Sequence, residues 1–295
     1  MTVHPRGPRA AILPDGRLHL HYGPIDLIIC AEGEPRAVQG AYTRAMARFD
    51  GLLEELVAEL AALRSPDPQP LTGAIALAMA AAVAPHRPAF ITPMAAVAGA
   101  VADAVLAAMV GAPGGAGLTR AHVNNGGDIA LHLAPGESLT AAIALHPDLV
   151  RLMPAALPGR VTLRHGDAAR GIATSGWRGR SWSLGIADAV TVLARTAAEA
   201  DAAATMIANA VDLPGHPAIL RRAAVKLQSD SDLGRLPVTV HVGALTAAEV
   251  AAALDRGAAH AQALLGRGII AGAAIFLHPE TRTLGRITLA ATPET

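Results

Sequence analysis

Cysteine, lysine and aromatic side chains are nearly missing from this chain. Cys30 is its single cysteine, which excludes an internal disulfide and any cluster of thiolate metal ligands. It sits in IDLIICAEGE and reads as a buried strand cysteine. Lys226 is its single lysine, in RRAAVKLQSD, where nothing suggests the special pocket that a Schiff-base amine needs. Aromatic residues make up 2% of the chain, and 24 basic side chains balance 24 acidic ones. Nucleic-acid binders usually carry a basic face for phosphates or a set of stacking rings, so the balanced charge and few aromatics argue against a nucleic-acid partner.

Long hydrophobic runs are also scarce. The alanine-rich run Gly73–Ala84 has 12 residues, against the roughly 20 that span a bilayer. Met94–Ala112 is longer, but it carries Asp103 and consists mainly of Ala, Val and Gly, as a buried core helix would. The opening MTVHPRGPRAAILPDGR has no apolar export core. The expectation is a cytoplasmic protein with no membrane partner. Twelve histidines occur, yet no HExxH, no HxH with a partnered carboxylate and no paired helical spacing supports a zinc site.

What is abundant is alanine, nearly a quarter of the 295 residues, within a hydrophobic share of 52%. That is enough apolar chain to offset the entropy of ordering. Ala11–Leu13, Pro14-Asp15-Gly16 and Arg17–His21 read as a hairpin, followed by a strand over Ile25–Ala31. Met46, Phe49, Leu53, Leu56, Val57 and Leu60 recur at helical spacing, predicting one helix over Ala37–Leu63. Helices are predicted at 71–84, 93–110, 196–211, 216–227 and 246–265. Strands are predicted at 121–123, 129–133, 141–145, 189–194, 238–242, 269–277 and 284–289. Gly111–Gly117 reads as a flexible connector. Strands and helices mix without regular βαβ spacing, which favours a single α+β domain over 1–295.

Four segments carry candidate chemistry. In EADAAATMIANAV, Asp201 and Thr205 lie four apart on a helix, with their oxygens on one face. Two hard oxygen ligands suit Mg²⁺, although the same spacing also describes an ordinary solvated face. In HVNNGGDIAL, the residues Asn124, Asn125, Gly126, Gly127 and Asp128 form a hairpin bend where a ligand can approach the backbone closely. In GIATSGWRGRSW, Thr174, Ser175 and Gly176 offer hydroxyls and amides to phosphate or ribose oxygens, and Arg178 and Arg180 follow. No GxSxG is present, so Ser175 reads as a binding residue rather than a nucleophile. Trp177 and Trp182 suit either a ring platform or a core position. In TPMAAVAGAVADAVLAAM, Asp103 is a carboxylate on an apolar helix, so it either caps a neighbouring element or faces a site.

Together and in this order, AAVAGAVAD, VNNGGDIAL, GIATSG and EADAAATMIANAV resemble the ApbE superfamily, the FAD:protein FMN transferases, over about residues 90–212. The resemblance implies mixed sheets with packed Ala-rich helices, a nucleotide cleft and a Mg²⁺ site. It implies Asp201 and Thr205 as metal ligands, with a backbone carbonyl from about Val97 or Ala98. It also implies that Asn125, Gly126, Gly127, Asp128, Thr174, Ser175, Gly176 and Asp103 line the site of FAD or a related flavin- or pterin-type ligand.

The sequence departs from that pattern in two places. Ala98 stands where the transferases have a lysine, and Trp177–Ile186 has no histidine where they carry a longer stretch with His and Asp-Pro. Their general acid/base equipment is missing or rebuilt, which argues against protein flavinylation. Two functions follow: Mg²⁺-assisted transfer or hydrolysis at a phosphoanhydride, or a binding module without turnover. A third, a step toward a cofactor of one-carbon metabolism, is required by no residue. The alanine-rich helices are compatible with a homodimer.

Overall fold

The computed structural model describes residues 7–111, 115–143 and 159–287. Nine strands form one antiparallel sheet in the order β1-β2-β3-β4-β5-β8-β9-β12-β13. They are β1 (Arg9–Ile12), β2 (Leu18–Tyr22), β3 (Ile25–Gly33), β4 (Leu118–Asn125), β5 (Asp128–Leu133), β8 (Gly171–Ser175), β9 (Ala189–Ala194), β12 (Ile270–Leu277) and β13 (Glu280–Gly285). The predicted first hairpin is present, with Gly16 at φ +83° in its turn. Alternation sets its faces: Leu18, Leu20, Leu27 and Ile29 point into the core, while His19, His21, Asp26 and Cys30 face outward.

Helices cover one face of the sheet. On the β2–β5 half lie α1 (Pro35–Phe49), α2 (Leu52–Ala58), α3 (Leu60–Leu63), α4 (Ala74–Val83) and α5 (Val97–Val110). On the β8–β12 half lie α6 (Ala197–Ala210) and α7 (Ala247–Gly266). A ribbon of β6 (Ser138–Ile143) and β7 (Gly159–Arg164) covers the other face, where Val161 and Leu163 meet Leu131, Leu193 and Phe276. With layers on both sides, every residue of β9 is buried. The α+β class expected from the sequence holds.

Helix α6 joins the two halves. Ala197, Ala198, Ala202 and Met206 belong to the first core, and Ala200, Ala203, Ala204, Ile207 and Ala208 to the second. Alanines let both neighbours approach closely. The stretch Pro93–Val110, with mean hydropathy 1.8, is long and apolar enough to cross a membrane by length and composition. It packs here against α1, α6, β4 and β5 as a core helix.

Three local expectations need correction. The single helix over Ala37–Leu63 is broken, because Gly51 takes φ +73° and the chain restarts as α2. Met46 and Val57, placed on its apolar face, are exposed. The helix predicted over 216–227 is instead β10 (Ile219–Ala223), paired with β11 (Pro237–Val242), followed by a 3₁₀ turn over Ala224–Lys226. Its residues alternate, with Ile219 inside and Leu220 outside, and the distant partner strand satisfies the backbone. Strands β7 and β8 were not anticipated. Residues 144–145 and 288–289 of two predicted strands, and 112–114 of the glycine-rich connector, lie outside the described residues.

Candidate functional site

The first turns of α5 and α6 meet. Gly99 is essential to that approach: a Cβ there would sit 2.2 Å from the Ala197 carbonyl oxygen. Across this junction Asp103 accepts hydrogen bonds from the amides of Ala197 (3.1 Å) and Ala198 (2.9 Å). The Thr196 hydroxyl accepts from Glu199 N at 3.1 Å. The first three amides of α6, which have no intrahelical acceptor, are thereby all satisfied. In return Asp201 Oδ2 accepts from Gly99 N at 3.1 Å. Asp103 is therefore a helix cap, one of the two roles the sequence allowed it.

The β4–β5 hairpin closes over the same junction. Asn125 pairs with Asp128 across a two-residue bend in which Gly126 (φ +66°) and Gly127 (φ +117°) both occupy left-handed backbone. That is the geometry two glycines favour. Asn124 Oδ1 accepts from Gly127 N at 2.9 Å, and Asn125 Nδ2 donates to the Ala98 carbonyl at 3.1 Å. Asp128 Oδ1 accepts from Thr174 N at 3.2 Å, which joins the hairpin to the end of β8. The Thr174 hydroxyl pairs with that of Thr191 on β9. Gly176 has no room for a side chain, since a Cβ would meet the Asp188 carbonyl at 2.4 Å.

The structure thus brings Asp103, Asn125, Asp128, Thr174 and Asp201 into one network around Ala98 and Gly99. Ser175 and Thr205 are half-buried beside it, with no side-chain bond into it. Thr205 lies on α6 one turn after Asp201, and Asn209 one turn further. These three are partly open on a helix whose other positions are mostly buried.

The electrostatics are unusual. Burial pushes Asp128 up to about 7 and Asp103 up to about 6. Asp201 is raised well above the carboxylate range by burial, then by the charge of Asp128. No Lys, Arg or His among the described residues pairs with any of the three. Buried like charges of this kind are relieved by a proton or by a cation. The oxygens present are carboxylates and the Thr205 hydroxyl, while the Ala98 carbonyl already accepts from Asn125 Nδ2 and from the next turn of α5. Carboxylate and hydroxyl oxygens are hard donors and fit Mg²⁺. Among the described residues no group of three or more His, Cys, Asp and Glu is arranged to hold a metal ion. A cation here would therefore take further ligands from hydroxyl, carbonyl, water or phosphate.

Two residues that sequence reasoning passed over shape the surroundings. Asp188 accepts from Trp177 Nε1 (3.2 Å), Arg178 Nε (2.6 Å) and His278 N (2.8 Å). Arg178 also stacks over the Trp177 ring at 4.6 Å. Asn209 Oδ1 accepts from Ser183 Oγ and Leu184 N. Asn209 could have been found as the next member of the Asp201–Thr205 spacing; nothing local marks Asp188. The histidine reading also changes. His19 and His21 share one strand face, and Asp26 lies 2.9 Å from His19 Nε2 and 3.7 Å from His21 Nδ1. The HxH pair does have a carboxylate partner, on the outer face of the sheet.

A protein-family model described as AbpE bacteria matches residues 10–288. No curated protein matches this chain.

Proposed function

The chain belongs to the family described as AbpE bacteria, and from that we propose that it is an ApbE-like protein whose site binds Mg²⁺ and the diphosphate of a flavin- or pterin-type nucleotide. The observation that carries this reading is a pair of carboxylates, buried Asp128 and half-buried Asp201, whose like charges oppose each other and which, among the described residues, are bonded only by backbone amides.

Asp201 and Thr205 would hold the metal. Bound there, Mg²⁺ would neutralise negative charge on the phosphoanhydride. The protein's own groups supply the rest. The Gly126–Gly127 bend leaves backbone open to a phosphate, and Ser175 offers a hydroxyl with no partner among the described residues. Asn125 keeps the bend fixed to the start of α5 through the Ala98 carbonyl. Asp128, pushed up to about 7, exchanges a proton near neutral pH at the oxygen not engaged by Thr174 N. That is the range in which a carboxyl works well as an acid or base. Transfer to water or a small acceptor suits this equipment better than transfer to a protein side chain.

The second reading, a binding module without turnover, draws on the loop after Gly176. Residues 177–186 contain no histidine, and Trp177 and Arg178 are both engaged by Asp188. Incubation with FAD and Mg²⁺, followed by chromatography, separates the two. Release of FMN and AMP supports the enzyme, while a raised melting temperature without products supports the module. If no flavin or pterin nucleotide shifts the midpoint, both readings fail.

A further inference from the structure

The loop between β8 and β9 is fastened at both ends. Near its start, Trp177 and Arg178 are held by Asp188. Near its end, Ser183 and Leu184 are held by Asn209, on the α6 face that also carries Asp201 and Thr205. Trp177 and Arg178 themselves sit in a turn closed by Gly179 N donating to the Gly176 carbonyl. Arg180, next along, leans over the β4–β5 bend: a Cβ on Gly126 would lie 3.3 Å from Arg180 Nη1.

The two arginines of this loop are in opposite conditions. Arg178 has its charge on Asp188 at 2.6 Å and its flat face on Trp177. Arg180 is exposed and makes no hydrogen bond or ion pair among the described residues. A guanidinium carries five donors in a planar fork that matches phosphate oxygens. Here that fork stands over a glycine bend, on a loop anchored to the helix face that carries Asp201, one of the three raised carboxylates. It pairs with none of them, so its charge is left for something else.

Resting on the function proposed above, we propose that Arg180 receives the anionic group of the ligand, a phosphate or diphosphate, at the Gly126 bend. The loop 177–184 is then the element that selects a phosphorylated ligand over its uncharged counterpart. Cation and guanidinium would act on the same diphosphate from the α6 side and the loop side.

Calorimetric titration with inorganic pyrophosphate in Mg²⁺ buffer tests this. Arg180→Ala should weaken binding by about ten- to a hundredfold, the worth of a charge-assisted contact. Arg180→Lys should recover part of the loss, and Arg180→Ala should show a shallower salt dependence. Its melting temperature without ligand should stay unchanged, because the exposed side chain holds nothing in place. If wild type binds, Asp201→Asn does not, and Arg180→Ala binds as tightly as wild type, this assignment is overturned while the metal–diphosphate reading stands. If wild type takes up no pyrophosphate, the reading beneath it falls and takes Arg180's role with it.

Discussion

Asp103 on α5 and Asp201 on α6 each bond the first turn of the other's helix. Asp103 takes the amides of Ala197 and Ala198, and Asp201 takes that of Gly99. The exchange places one carboxylate purely in support and leaves the other beside Asp128, where its charge meets opposition. Small residues make it possible, because no side chain intervenes where Gly99 crosses Ala197.

Removing the supporting carboxylate should loosen this junction. Asp103→Ala leaves two α6 amides without an acceptor, at a cost of about 1–3 kcal/mol. Asp103→Asn keeps one acceptor oxygen and should lose less. Urea unfolding of both variants checks the order.

Gly99→Ala should cost about 1–3 kcal/mol or more, through overpacking against the Ala197 carbonyl. The loss should exceed that of Gly127→Ala in packing terms, since a Cβ on Gly127 meets nothing within 4 Å. At Gly127 the penalty arises from φ +117° instead. Because the Gly99 amide supports Asp201, Gly99→Ala should also weaken any Mg²⁺ effect on melting temperature, whereas Gly127→Ala should not.

The raised carboxyls fix the sign of a pH dependence in metal-free protein. Asp103 and Asp128 stand at about 6 and about 7, above the ordinary value of 3.8. A carboxyl raised on folding binds more protons in the folded state, so its contribution is full below about 4 and is lost as pH rises toward about 7. Asp128→Asn should therefore flatten the fall in melting temperature between pH 4.5 and 7.5, measured with chelator present. A variant whose slope matches wild type would count against the burial argument.

Asp188→Ala should free the start of the β8–β9 loop, because Trp177, Arg178 and the His278 amide all lose an acceptor. The expected cost is about 1–3 kcal/mol, with a red shift and faster quenching of tryptophan emission.

Local patterns were readable wherever the chain solves its own problem. Asn-Gly-Gly-Asp between apolar strands announces the β4–β5 bend, and Thr196 followed by Glu199 announces the start of α6. Asp201 and Thr205 share a face because helical spacing requires it. The failures lie where distant chain decides. Residues 219–223 become a strand because 237–242 arrives to pair with them. Asp103's partners are amides 94 and 95 positions away, and Asp188 gathers donors from residues 177, 178 and 278. No spacing rule reaches across those separations. The break at Gly51 was different, since Asp50-Gly51 is a turn pair that the stronger apolar periodicity obscured.

A divalent cation at the Asp201 carboxylate should stabilise the folded protein. The most direct measurement is the melting temperature with and without millimolar Mg²⁺, for wild type, Asp201→Asn and Thr205→Val. Asparagine can still accept from Gly99 N, so the fold should survive the first substitution. Mg²⁺ should raise the midpoint of wild type, raise that of Thr205→Val less, and leave Asp201→Asn unmoved. An equal rise in wild type and Asp201→Asn would contradict a cation at that carboxylate.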